Sequence, residues 1–319
     1  MPKLTKKKNP KVVVIGGGTG VFTVLSGLRE YPVDLTAVVS MADSGGSSGV
    51  LREEFGILPP GDVRRALVAL ASSDKKILSD LFNYRFSEGG LNGHAFGNVM
   101  LTALERVTGG FMNAVKEAGA LLGVQGAVLP VTLNRVSLLA ELKDGTIIRG
   151  ETNIDIPKHN GAIAIDRVWL EPEAEIAPGV ARALGAADLI VIGPGDLYTS
   201  VIPNLLVRGV PEAIRKARAK KAYVVNIMTK WGETYGFGAG DFVRAVESYL
   251  GKNVLDYAVV NTGRVSSERL SRYEEEHAAL VRGGHLPGGI KTIQANLIRS
   301  RGFIRHDPAK LARVLVSLI

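Results

Sequence analysis

Six short segments hold the residues best suited to chemistry. The first, Gly16-Gly-Gly-Thr-Gly20, follows the apolar run Lys11-Val-Val-Val-Ile15. Glycine permits close backbone approach, and a helix starting there offers unpaired N–H groups and a positive dipole end. Gly17, Gly18, Thr19 and Gly20 thus read as an anion cradle or, equally when taken alone, as a tight strand-to-helix turn. The segment is not the dinucleotide fingerprint, since Val21 or Thr23 stands where its last glycine belongs. No Gly-Lys-Ser/Thr follows, so it is not a P-loop either.

The second segment is Asp43-Ser-Gly-Gly-Ser-Ser-Gly49. An acid just past the second strand of a nucleotide-binding fold can take a ribose hydroxyl, the place Asp43 occupies. Gly46, Ser47 and Ser48 could meet phosphate, or form only a flexible loop. In Pro59-Pro-Gly-Asp-Val-Arg64, Asp62 reads most simply as a helix N-cap and Arg64 as a solvated cation. Asn92-Gly-His94 followed by Gly97-Asn98 adds His94 and Asn98. Gly193-Pro-Gly-Asp-Leu-Tyr-Thr-Ser200 adds Gly195, Tyr198 and Thr199, and Asn226-Ile-Met-Thr229 adds Asn226 and Thr229. The five histidines show no metal-ligand spacing, and no G-x-S-x-G elbow appears.

These segments need strands behind them. Lys11 to Ile15, Ala187 to Ile192, Ala222 to Ile227 and Leu255 to Val260 are short, β-branched and unbroken, as strands buried on both faces are. Asp34 to Ser40 reads as another. Val21, Val24, Leu25 and Leu28 recur with helical spacing. Further helices are expected near 62–72, 75–82, 97–120, 212–219, 241–250 and 308–319. The fold class is α/β: a Rossmann-like α/β/α sandwich with a mainly parallel sheet. Val136 to Leu142 and Thr146 to Arg149 flank Asp144-Gly145, which predicts a hairpin with a type I′ turn. With Ala162 to Leu170 it forms a small antiparallel insertion at about 125–172. The predicted organisation is a disordered basic tail over 1–10 and one α/β domain over 11–319. Loops after parallel strands converge at one crest, which is the strongest argument that the segments share a site.

Composition narrows the classes. The chain has 319 residues, 46% hydrophobic and 22% charged, an ordinary globular balance. There is no cysteine, which excludes disulfides, thiolate nucleophiles and Cys-based metal sites. Half of the formal +8 charge comes from four lysines within the first ten residues. With aromatics at only 6%, this argues against a nucleic-acid partner. No apolar run reaches the ~18–20 residues of a membrane span. No signal-peptide pattern is seen, and the expected location is the cytoplasm.

Taken together and in this order, the segments resemble the gluconeogenesis factor family. That family is a branch of the superfamily of 2-phospho-L-lactate transferases (CofD-like) of coenzyme F420 synthesis. The resemblance runs from about Lys11 to the C-terminus, where Phe303-Ile-Arg-His306 matches a late motif. Three positions depart from the family pattern. Ser44 stands for the usual Asp, Asp196 for Ser, and Lys230-Trp231 for Gln-Pro. The resemblance implies a homo-oligomeric protein that binds a UDP-sugar such as UDP-N-acetylglucosamine, or another nucleotide. It further implies support of cell shape and envelope synthesis during gluconeogenic growth, with envelope-synthesis proteins as partners. No catalytic reaction is established for that branch. By the late motif, Arg305 would neutralise phosphate. Two alternatives stand beside this regulator. One is a transferase of phosphorus-containing groups, with Mg²⁺ on Asp43 and Asp62 and Arg64 clamping the donor. The other is a scaffold with a vestigial site.

Overall fold

Strand β1 (Lys11–Gly16) shows why the opening run is unbroken. Val12 and Val14 enter one hydrophobic core while Val13 and Ile15 enter another, because successive strand residues face opposite ways. All four are at most 2% exposed. The sheet therefore carries packed layers on both faces. This computed structural model describes residues 8–319. The expected basic tail lies largely outside the described residues; within them, Lys8 and Asn9 are exposed.

The other strands of the main sheet are β2 (Asp34–Val39), β3 (Ala127–Pro130), β7 (Leu189–Ile192), β8 (Lys220–Val224), β9 (Tyr257–Asn261) and β10 (Lys291–Ala295). Their order is β10-β9-β8-β7-β1-β2-β3. Every pairing is parallel. Between β3 and β7 the chain builds a second sheet from β4 (Ser137–Leu142), β5 (Ile147–Arg149) and β6 (Ile165–Glu171). That sheet is antiparallel, in the order β5-β4-β6.

Several boundaries differ from the sequence reading for local reasons. The antiparallel sheet begins at Ser137, because Ala127–Pro130 pairs in parallel with β2 as the edge of the main sheet. Asp144 keeps a negative φ, and only Gly145 is left-handed, at φ +86°. The turn is thus not type I′: the Asp144 carboxylate accepts the Thr146 N–H (2.9 Å) and the Gly145 N–H bonds back to the Leu142 carbonyl. The helix expected over 97–120 is two, Phe96–Thr108 and Phe111–Leu121, split where Gly109 takes φ +76°. Strands β3 and β10 are short edge strands without an alternating signal.

Three helices bring their N-termini to the crest. They are α1 (Gly18–Leu28), α2 (Gly46–Phe55) and α3 (Gly61–Leu70). Helix α2 corrects the loop reading of the Gly-Gly-Ser-Ser segment: Gly46, Ser47 and Ser48 are its first turn. Among the described residues, no helix is long and apolar enough to cross a membrane.

Gly20 is glycine for packing. A Cβ there would stand 1.9 Å from the Pro194 carbonyl oxygen, which is backbone and cannot swing away. This seats α1 against the loop after β7. Gly20→Ala should lower stability by about 1–3 kcal/mol, as overpacking does. Gly185→Ala, whose Cβ meets nothing within 4 Å, should be neutral or slightly stabilising. Urea denaturation of the two variants checks the contrast; equal losses would show that the close approach is not the cause.

Candidate functional site

The main sheet runs outward in both directions from β1, toward β2 and β3 on one side and toward β7 to β10 on the other. The switch point lies between the carboxyl ends of β1 and β7, the place where such sheets open a crevice. An open cleft of about 990 Å³ lies there. It is lined by Gly17, Gly18, Thr19, Gly20, Asp43, Gly46, Ser47, Ser48, Asp62, Arg64, Asn98, Gly195, Thr199, Asn226, Thr229 and Arg305. His94 and Tyr198 stand behind the lining. His94 Nδ1 is 3.2 Å from Ser47 Oγ, and the Tyr198 N–H donates to Glu233 Oε2 (2.9 Å).

Much of this polar chemistry is turned on itself. Ser47 Oγ receives the Ala95 N–H (3.3 Å) and Asn98 Nδ2 (3.1 Å) as well as facing His94. Asn226 Oδ1 accepts the Gly195 N–H (3.2 Å), and Thr229 Oγ1 accepts the Ala279 N–H (2.9 Å). Thr199 Oγ1 donates to Glu233 Oε1 (2.9 Å). Glu233, only 2% exposed, thereby anchors the loop after β7 through both oxygens. Burial, offset in part by Lys230, raises its pKa to about 7.

Asp62 is not the N-cap of its own helix. Pro60 holds that position, and Asp62 Oδ1 accepts the Gly18 N–H of α1 (2.9 Å). One amide of the glycine segment is thus engaged by an internal carboxylate. Burial, then repulsion by Asp43, raises the Asp62 pKa to about 6. Asp43 Oδ1 accepts the Gly45 N–H (2.9 Å).

Arg64 is the most consequential side chain. It is 6% exposed, yet its partners are all neutral: Nε donates to Asn98 Oδ1 (2.9 Å), and Nη1 donates to Asn83 Oδ1 (2.6 Å) and the Phe82 carbonyl (3.3 Å). No carboxylate lies within ion-pair distance of it among the described residues. Burial, then repulsion by Arg65 and Arg85, lowers its pKa to about 10. It stays charged at neutral pH, with Asp62 and Asp43 offsetting its burial only from beyond ion-pair distance.

Among the other lining residues, Arg65, Arg85, Glu151, Thr152 and Asp155 carried no separate sequence signal. Arg65 and Arg85 add positive charge around Arg64. Ser200 Oγ lies 3.7 Å from where a Cβ on Gly18 would stand. The short helix Glu151–Asp155, which follows β5, forms one wall. Its Thr152 N–H donates to Ser44 Oγ (3.1 Å), so Ser44 bolts the insertion to the crest. The two other departures from the family pattern meet: Lys230 Nζ donates to Asp196 Oδ2 (2.9 Å), and it also pairs with Asp155 and Glu233. Asp155, Asp196 and Glu233 together could hold a metal ion, and the Lys230 ammonium lies among them.

Fold and site define an α/β protein with a polar cleft at the switch point of a parallel sheet. Within that class, the family described as 2-phospho-L-lactate transferase CofD matches residues 12–298, and the chain belongs to it. It is 46% identical to a putative gluconeogenesis factor of Nostoc sp., over 97% of this chain and 68% of that protein. It is 42% identical to the gluconeogenesis factor of Bacillus subtilis, over 98% of this chain and 99% of that protein. A crystal structure of a UPF0052-family protein from Bacillus halodurans superposes with a TM-score of 0.91 at 39% identity. That match covers 98% of this chain and all of the other.

Glu151 yields a pH prediction. Burial, then repulsion by Asp43 and Asp155, raises its pKa from 4.5 to about 8. The folded protein therefore holds a proton that the unfolded chain releases. Its contribution is complete below pH 4.5 and is lost as pH rises to about 8. Wild type should lose stability relative to Glu151→Gln across that window, by at most ~1.4 kcal/mol per pH unit. Denaturation curves at several pH values test this; parallel pH profiles would refute it.

Proposed function

We propose that this chain is a cytoplasmic regulator that binds a nucleotide sugar of the UDP-N-acetylglucosamine kind in the cleft. In this reading it supports cell shape and envelope synthesis during gluconeogenic growth, as a homo-oligomer acting on envelope-synthesis proteins. The observation that carries the binding is Arg64, a buried guanidinium beside the cleft with only neutral partners. A phosphate would supply the missing charge, received by Nη2, the guanidinium nitrogen left without a partner among the described residues. The N-termini of α1 and α2 point the same way, each with unpaired backbone donors in its first turn. Arg305, exposed in the cleft lining, adds a further cation.

Mg²⁺ fits the same arrangement. Asp43 and Asp62 repel each other, and one oxygen of each is engaged by a backbone N–H. Mg²⁺ is commonly held by one or two carboxylates together with substrate phosphates. These two would hold it, and it would screen their repulsion from a bound diphosphate. The same pair favours the second reading, a phosphorus-group transferase, in which Arg64 aligns the donor.

Calorimetry with UDP-N-acetylglucosamine, with and without Mg²⁺, separates the readings. Micromolar binding with intact ligand recovered supports the regulator. A cleaved ligand rules out a binding-only regulator, and a phosphorus group moved to an added acceptor supports the transferase. Arg64→Gln should weaken binding at least tenfold, about 1.4 kcal/mol. Exposed Arg305→Ala should weaken it without changing the melting temperature. Unaltered affinity in both variants would overturn the assignment.

A further inference from the structure

The two ends of the cleft differ in chemistry. At the α1 and α2 end lie unpaired backbone donors and the cations Arg64, Arg65 and Arg85, which face the carboxylates Asp43 and Asp62 with three positive charges against two negative ones. At the other end the ammonium of Lys230 is already surrounded by Asp155, Asp196 and Glu233. A phosphate placed there would face three carboxylates, whose repulsion is weakly screened inside a cleft. That end is also walled by apolar groups: Ile156, Pro157, Met228, Trp231 and Tyr273.

Trp231 is the central piece of this wall. Its indole is packed on the Gly161 backbone so closely that a Cβ there would lie 2.4 Å from Nε1. Tyr235 meets the ring edge-on, with centroids 4.8 Å apart, and His277 lies 4.5 Å away, tilted by 40°. The residue is nonetheless only partly buried, and it lines the cleft. Lys230, its chain neighbour, is fixed by the carboxylates, so the indole is held in place before any ligand arrives. A rigid aromatic surface contributes binding area at small conformational cost.

We infer that Trp231 is a specificity-determining residue that receives an uncharged ring of the ligand, sugar or base, and that the ligand lies with its phosphates toward Arg64. This orientation rests on the nucleotide-sugar reading above. The reverse orientation would set phosphate against Asp155, Asp196 and Glu233, whose one ammonium, Lys230, is already shared among them.

The chain has two tryptophans, Trp169 and Trp231. Trp169 lies on β6 under Arg167 and is not in the cleft lining, so Trp169→Phe leaves Trp231 as the sole indole reporter. That protein is titrated with UDP-N-acetylglucosamine, UDP, N-acetylglucosamine 1-phosphate and inorganic diphosphate, and binding is measured in parallel by calorimetry. Trp231 emission should shift with the nucleotide sugar and remain unchanged when diphosphate binds. A shift with UDP places the base at the wall; a shift with the sugar phosphate alone places the sugar there. In the wild-type background, Trp231→Ala should raise the Kd for the nucleotide sugar about tenfold and leave the Kd for diphosphate unchanged. Retained diphosphate binding shows that the variant is folded, and Trp231→Phe should recover most of the loss. If Trp231→Ala binds the nucleotide sugar as tightly as wild type, the inference fails while the nucleotide-sugar reading survives. An equal emission shift with diphosphate overturns it likewise. If wild type binds none of these compounds at millimolar concentration, the nucleotide-sugar reading falls and this orientation with it.

Discussion

A strand buried on both faces has no side chain to spare for chemistry. Val12, Val13, Val14 and Ile15 are all committed to the two cores. Polar function can appear only past the carboxyl end of such a strand, where the chain leaves the sheet. The rest of this molecule follows from that constraint. Loops after β1, β2, β7 and β8 carry the glycine, hydroxyl, amide and acid groups, and the switch between β1 and β7 gives them one crevice to share.

Loops placed in this way still need a rigid mounting, and most of the polar residues in the motifs supply it. Glu233 anchors the loop after β7 through both oxygens, Asn226 holds the Gly195 amide, and Ser47 gathers Ala95, Asn98 and His94. Asp62 fastens α3 to the first turn of α1. The antiparallel insertion is tied down at both ends of one short helix, through Thr152 to Ser44 and through Asp155 to Lys230. Such a framework lets Arg64 remain charged and nearly buried with neutral partners, because its neighbours cannot relax around it.

The departures from the family pattern gain physical sense from this network. Asp196 and Lys230 are far apart in sequence but form an ion pair, so the two changes compensate one another. Trp231 fills the space over Gly161, which has no side chain to obstruct it. Ser44 lacks a carboxylate but supplies a hydroxyl that accepts the Thr152 amide.

The sequence by itself determined the strand-loop-helix opening, the class of sheet, and which loops carry the polar groups. Those features depend on local periodicity and on residues adjacent in the chain. Tertiary structure alone decided what each polar group does. Asp62 looks like a helix cap from its neighbours, yet its partner is Gly18, 44 residues away. Arg64 looks solvated, yet α3 buries it against Asn98 and the Phe82 carbonyl. Helix α2 begins with glycines and serines, which favour loops locally, and it forms because its first turn packs against His94, Ala95 and Asn98. Glu151, Arg65 and Arg85 belong to no motif, and only the closing of the cleft sets them beside Asp43 and Arg64. Contacts between distant segments leave no periodic trace along the chain, which is why these roles emerge only when the sheet assembles.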